Sequence, residues 1–162
     1  MFALRMSSAV GRQLARVSAR GFADAPTGMA FTLASPSNLY FHGADVRQVD
    51  VPSYSGNFGI LPNHVSTSAV IKPGVVVVYP KEGDLQRFFV SAGTITVNED
   101  SSVQVIAEQA IAVDQLDGSL VGAGLAKAQQ QLASASTETA KAEAQILIEV
   151  HEAMQKAIDG VI

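Results

Sequence analysis

The chain has 162 residues, 48% hydrophobic and 16% charged, with 11 Lys plus Arg against 15 Asp plus Glu and no cysteine. That length holds one domain or two small ones, and the apolar content excludes a chain that is disordered throughout. The absence of thiols excludes a disulfide framework and a thiolate metal centre, and no stretch approaches the 18 consecutive apolar residues of a membrane-spanning helix.

The first 23 residues differ from the rest. They carry Arg5, Arg12, Arg16 and Arg20, with no acidic residue before Asp24. Ser7, Ser8 and Ser18 are interspersed with Phe2, Leu4, Val10, Leu14 and Val17. An arginine-rich, acid-free, amphipathic start without a long apolar run is the signature of an organelle transit peptide, not of a secretory signal. We expect a transit segment over residues 1–22 and a mature start near Ala23, since Arg20-Gly21-Phe22-Ala23 resembles a matrix-protease site. A basic tail or nucleic-acid arm is the alternative for this segment. Without it, Lys plus Arg falls from 11 to 7 against 15 acidic residues, so the net charge moves from −4 to −8. An acidic body repels a phosphate backbone, and nucleic acid is not an expected partner.

From residue 29 to 107 the texture is that of short strands. The segments 29–36, 45–53, 66–72, 75–79, 85–91, 94–98 and 102–107 are rich in β-branched and aromatic residues. Turn signals separate them: Pro36 in "SPSN", then "SGN", "KPG", "KEGD", "AG" and "NEDSS". Lys81-Glu82-Gly83-Asp84 should close a hairpin. Many short strands at close spacing indicate an antiparallel sandwich or barrel. The stretch "SGNFGILPNH" (55–64) reads as a turn-rich loop with unusual apolar content, Phe58 lying between Gly56 and Gly59 at its expected tip.

After Asp114 the period changes to 3.6. Val121, Leu125, Ala128 and Leu132 fall on one helical face, and Leu147, Val150, Met154 and Ile158 form a similar stripe over about 138–159. "SAST" (134–137) is a short polar connection in which Ser136 or Thr137 can cap the second helix. The short connection favours an antiparallel hairpin. Its many alanines and glycines bury little area, so the hairpin should lean on another surface. The fold class expected is α+β: an N-terminal antiparallel β-sandwich (23–112) followed by a C-terminal antiparallel α-helical hairpin (113–162).

Chemistry is sparse. His42, His64 and His151 have no partner at metal-ligand spacing; "VHEAM" supplies half of a zinc-protease motif. No nucleophile elbow, dinucleotide loop or phosphate loop is present. "GAG" (122–124) sits within a helical pattern and suits close helix packing. We expect no catalytic, cofactor-binding or metal site, and favour a binding or structural role.

With these features in order, "SGNFGILPNHVSTSAVIKPG" (55–74) resembles the hallmark segment of the delta/epsilon family, the small β-sandwich subunits of the F-type ATP synthase rotor. "FTLASP", "VRQVDVPSYSG" and "FFVSAGTITVNEDSSVQVIAEQA" agree in the same order, and the resemblance covers 29–159. The transit-like start points to the mitochondrial branch. The resemblance implies a non-catalytic central-stalk component, peripheral on the matrix side of the inner membrane. Its implied partners are the gamma subunit, the small mitochondrial epsilon subunit and the c-ring loops, with membrane association through the complex alone. It places Asn57, Phe58, Gly59, Ile60, Leu61, Pro62 and His64 at the rotor-facing edge, His64 as either an interface hydrogen-bonding group or a structural turn residue. Bacterial relatives that bind ATP in the hairpin carry Leu/Ile-Asp-x-x-Arg-Ala; here Leu116-Asp117-Gly118-Ser119-Leu120-Val121 has Leu120 in the arginine position, and nucleotide sensing is not expected. A free β-sandwich enzyme or ligand-binding domain with a helical appendage is the competing reading, and an assembly factor mimicking the subunit is a third.

Overall fold

The computed structural model describes residues 28–160; the expected transit segment lies outside the described residues. In β1 (Met29–Ala34), Met29, Phe31 and Leu33 are buried and Ala30, Thr32 and Ala34 face outward, the period of two that a half-buried strand requires. The remaining strands are β2 (Leu39–Ser53), β3 (Gly56–Ile60), β4 (Thr67–Ile71), β5 (Gly74–Pro80), β6 (Gln86–Val90), β7 (Gly93–Val97), β8 (Val103–Ala107) and β9 (Ala110–Ala112). β5 and β6 form the expected antiparallel hairpin, with Gly83 at φ +98° in its turn.

The strands form two layers joined by β2. Its first half pairs with β1, which continues through β8 and β7 to β4; its second half pairs with β5 and β3, and β5 continues through β6 to β9. The sheet is mixed, not purely antiparallel, because β1 runs parallel to β8. The antiparallel expectation rested on hairpins between successive strands. β1 and β8 are far apart in sequence, so no tight turn sets their relative direction. Between the layers lies the hydrophobic core, including Phe31, Leu33, Val49, Ile60, Ile71, Val76, Ile95 and Val105. Tyr40, Phe41 and Phe88 add an aromatic cluster with ring centroids 5.0–5.5 Å apart.

After a single 3-10 turn (Val113–Gln115) come α1 (Gly118–Ser134) and α2 (Glu138–Ile158). Thr137 is the residue that caps α2, its Oγ1 accepting from the Ala140 amide at 3.2 Å. The hairpin leans on the outer face of the β5–β6 pair: Val75, Val77 and Phe89 form a buried cluster with Ala157, joined by Val150, Ala153 and Met154. Of the expected α2 stripe, Val150 and Met154 take part, whereas Leu147 and Ile158 are exposed. The small Ala153 and Ala157 let the helix approach the sheet closely, so the contact follows them.

Gly122 and Gly124 behave differently. A β-carbon on Gly124 would lie 2.2 Å from Nε2 of His151, whose Nδ1 donates to the Leu147 carbonyl at 2.7 Å. A β-carbon on Gly122 would meet nothing within 4 Å. Close packing therefore accounts for one glycine of the "GAG" motif. In an open helix interior, Gly→Ala stabilises by about 0.5–1 kcal/mol. Gly122→Ala should show that gain in urea denaturation and Gly124→Ala should not. Adding His151→Ala to Gly124→Ala should restore it; equal gains at both glycines would contradict the packing assigned to His151.

Candidate interaction site at the end of the sandwich

The stretch read as a loop over 55–64 is mostly strand. Ser53 pairs with Gly56, leaving Tyr54-Ser55 as a two-residue hairpin tip, and Gly56 adopts φ +122°, a conformation that disfavours a side chain. The buried Ser53 hydroxyl donates to the Gly56 carbonyl at 2.7 Å and lies 2.9 Å from the Ser55 hydroxyl. Glycines 56 and 59 suggested a loop, yet pairing along Val49–Ser53 overrides their weak strand preference. Gly59 sits opposite Asp50, where a β-carbon would be 2.7 Å from the carboxylate. That carboxylate accepts from Gln48 Nε2 at 2.5 Å. It also holds the Tyr79 phenol above its ordinary pKa, first through a hydrogen bond, then with burial and charge repulsion.

Beyond β3 the chain turns sharply over Leu61-Pro62-Asn63-His64. The His64 amide donates to the Leu61 carbonyl at 3.1 Å and Asn63 has φ +63°. Proline followed by a residue tolerant of positive φ is the residue pattern of a type II turn. Asn63 Oδ1 accepts from the Ser101 hydroxyl at 3.3 Å, and the Ser66 hydroxyl donates to the Val97 carbonyl at 3.1 Å. These bonds tie the turn to the β7–β8 connection. His64 Nδ1 lies 2.9 Å from the Val65 carbonyl. A carbonyl can only accept, so Nδ1 carries the proton and Nε2 of the neutral ring is left as an acceptor.

The expected site residues separate into distinct groups. Ile60 is fully buried, whereas Leu61 is 57% exposed. Phe58 is half-buried against the core with its ring centroid 6.4 Å from that of His64; it is not at the hairpin tip. Its place follows from its register opposite Val51, which faces the core. Asn57 and Gly59 are exposed, Pro62 and His64 half-buried. Asn57, Phe58 and His64, with Thr67 and Ala69, line a shallow groove of about 340 Å³ between β3 and β4. Sequence reasoning missed Val65, which is 75% exposed beside His64; a valine directly after a Pro-Asn turn, followed by serine, was the available signal. This end of the molecule presents an aliphatic ridge, Leu61 and Val65, beside hydrogen-bonding groups. Among the described residues, no group of three or more His, Asp or Glu could hold a metal ion.

Asp117, in the segment resembling the nucleotide-binding motif, caps α1. Its Oδ1 accepts from the Ser119 amide at 2.8 Å, the Ser119 hydroxyl at 2.6 Å and the Leu120 amide at 3.4 Å. The Ser119 hydroxyl, then the two amides, hold the carboxyl below its ordinary pKa. Leu120 is exposed.

A β-sandwich with a docked helical hairpin and an aliphatic ridge at one end has the form of an assembly subunit. Residues 28–113 match the ATP synthase, Delta/Epsilon chain, beta-sandwich domain, and residues 116–157 match the C-terminal domain of the metazoan delta subunit of F1F0-ATP synthase. The mitochondrial ATP synthase subunit delta of Caenorhabditis elegans is 47% identical over 148 residues, covering 87% of this chain and 90% of the relative. That of Yarrowia lipolytica is 36% identical, covering 88% and 89%. Among solved structures, a chain of the Euglena gracilis mitochondrial ATP synthase OSCP/F1/c-ring assembly superposes with TM-score 0.77 at 20% identity over 86% of each chain. One from the Tetrahymena thermophila central stalk/c-ring gives TM-score 0.62 at 17% identity, covering 80% of this chain and 96% of that one. These two show a shared fold. The chain belongs to the ATP synthase delta/epsilon family, among its mitochondrial delta members.

Two outcomes follow from this geometry. Ile60→Ala should lower the unfolding free energy by about 2–5 kcal/mol, whereas Leu61→Ala should change it by no more than about 0.5 kcal/mol; chemical denaturation of each variant measures both. For Asp117, the depressed folded pKa means that the unfolded state binds its proton more readily. The cap's contribution is thus present above the ordinary carboxylate pKa and is lost as pH falls through the folded value. Amide exchange at Ser119 and Leu120 should accelerate over that acidic window, relative to the base-corrected intrinsic rate, and Asp117→Asn should remove the pH dependence.

Proposed function

We propose that this chain is a non-catalytic central-stalk subunit of the mitochondrial proton-translocating ATP synthase, linking the gamma subunit to the c-ring and helping to couple proton flow to ATP synthesis by rotation. The observation that carries the reading is the 47% identity to the nematode delta subunit, which runs through both sandwich and hairpin. In this reading catalysis belongs to other subunits. The chain is peripheral on the matrix side of the inner membrane; no helix among the described residues is long and apolar enough to cross a bilayer. Its partners are gamma, the small epsilon subunit and the c-ring loops. The segment from Asn57 to His64, the end of β3 and the turn after it, forms the rotor-facing edge, and its exposed members and Val65 supply the contact. Phe58 and Ile60 support that edge from beneath. Residues 1–22 are removed on import, the sandwich occupies 23–112 and the hairpin 113–162.

Native electrophoresis of mitochondrial membranes, followed by mass spectrometry of the bands, tests the reading. The chain should migrate with the intact ATP synthase, its first detected residue lying near Ala23. The double variant Leu61→Asp/Val65→Asp should melt like the parent when isolated but be recovered at least tenfold less in that band. A chain found only as a small free species, or with Met1 retained, would count against the assignment.

A further inference from the structure

Sulfur chemistry in this chain rests on methionine alone: the sequence holds four methionines and no cysteine. Met1 and Met6 fall in the expected transit segment, so Met29 and Met154 are the two sulfurs of the described residues. Their settings differ. Met29 is 2% exposed on the core side of β1. Met154 is half-buried on α2, where the hairpin meets the β5–β6 face. Oxidation of a thioether by peroxide follows its access to solvent, and hydrogen peroxide is little larger than water. Met154 is the sulfur that such an oxidant reaches in the folded chain.

Its position makes the product consequential. Of the α2 residues at that contact, Val150, Ala153, Met154 and Ala157, Met154 is the largest. The facing cluster includes Val75, Val77, Phe89, Ile111 and Val113, none of which has a side-chain hydrogen-bond donor. Tyr79 is the polar member of the cluster, and its phenol donates to Asp50. The backbone of β5 is paired on both sides, with β2 and with β6. A sulfoxide oxygen is a strong acceptor, and burying it without a donor is unfavourable. It gains a partner by turning out to water, and that movement withdraws the largest α2 side chain from a seam with only four fully buried members.

We propose that Met154 is a reversible oxidation site through which a peroxide loosens the helical hairpin from the sandwich. In the forward step the sulfur gives an electron pair to one peroxide oxygen, the O–O bond breaks, the sulfoxide forms and water leaves. In the reverse step a dithiol supplies two electrons. The S–O bond breaks, the oxygen leaves as water and the dithiol becomes a disulfide.

The full chain, treated with dilute hydrogen peroxide and mapped by peptide mass spectrometry, should gain one oxygen at Met154 at least tenfold faster than at Met29. Equal rates, or Met29 first, would reject the proposal. Amide exchange over residues 150–157 should then rise at least tenfold, while β8 amides keep the parent rate. Methionine sulfoxide reductase with a dithiol should return both mass and exchange to their starting values. Met154→Leu, close in volume and without sulfur, should exchange like the parent even after peroxide, and Met154→Gln should exchange like the oxidised chain without it. Oxidised parent that exchanges no faster than reduced parent would overturn the idea, as would a Met154→Leu chain that loosens all the same. If Met154→Leu does not fold, repair decides: exchange that stays fast once the oxygen is removed assigns the loosening to other damage. None of these readouts depends on the chain's place in the ATP synthase.

Discussion

Both layers of the sandwich depend on β2. Fifteen residues of one strand pair with β1 at one end, with β5 and β3 at the other, and touch β4 through Ser53 and Ile71. A strand serving two layers has to bend. Gly43, at φ +60°, lies between Phe41 and Ala44, where the pairing with β1 shifts register, and a further register shift, against β5, falls between Val46 and Gln48. Val46, Val49 and Val51 then keep one side of the strand in the core. The end of β2 is fixed further by two backbone bonds, Tyr54 N–H to the Val70 carbonyl at 3.4 Å and Lys72 N–H to the Pro52 carbonyl at 3.2 Å. The same strand that joins the layers therefore fixes the hairpin tip, β3 and the turn carrying Leu61 and His64. A contact surface placed there inherits the rigidity of the core.

The helical hairpin is held by much less. Among the described residues, the sandwich core contains seventeen buried side chains and the hairpin–sheet cluster four. A fully buried aliphatic side chain contributes about 1.5–3 kcal/mol, so the docking contact stabilises far less than the core. Within the hairpin itself the central contacts are Val121, Ala128 and Ala144, together with His151 against Gly124. Small side chains bring the two helices close but bury little area. The hairpin's position is therefore set by its own close packing together with the β5–β6 face.

The sequence made the element types legible where the period was clean. Strict alternation in "MAFTLA" and "VQVIA" and the 3.6-residue stripe of α1 correspond to the observed burial. It was less legible where glycine interrupts a strand. Gly43 concealed the first part of β2, which starts at Leu39 and not Asp45, and Gly56 and Gly59 concealed β3. In each case backbone pairing with a neighbour outweighed the glycine, and pairing is not written in local composition. β9 is three residues long, too short to show a period. The candidate site suffered from the same blindness. With β3 read as a loop, Phe58 could be placed at a tip, whereas its register opposite Val51 turns it toward the core. Alternation within "NFGI" separates outward Asn57 and Gly59 from inward Phe58 and Ile60, but only once that stretch is known to be a strand.

Charge placement carries a further constraint. With 15 acidic residues the chain has ample charge to solvate every exposed strand. On the layer that carries the hairpin, the outward positions beyond the helices are polar or charged: Gln48, Asp50 and Arg87. On the opposite layer the outward positions of β4, β7, β8 and β1 hold Ala, Ser, Thr, Gln, Val and Ile; Glu99, Asp100 and Glu108 lie in or beside the turns, and Asp45 of β2, opposite Ala30, is paired with Lys81. Solubility alone gives no reason for that asymmetry, since a glutamate or lysine at Thr94 or Gln104 would cost the core nothing. An uncharged face is favoured when desolvation of charge on contact would be costly, because several kcal/mol are lost for each ion left without a partner.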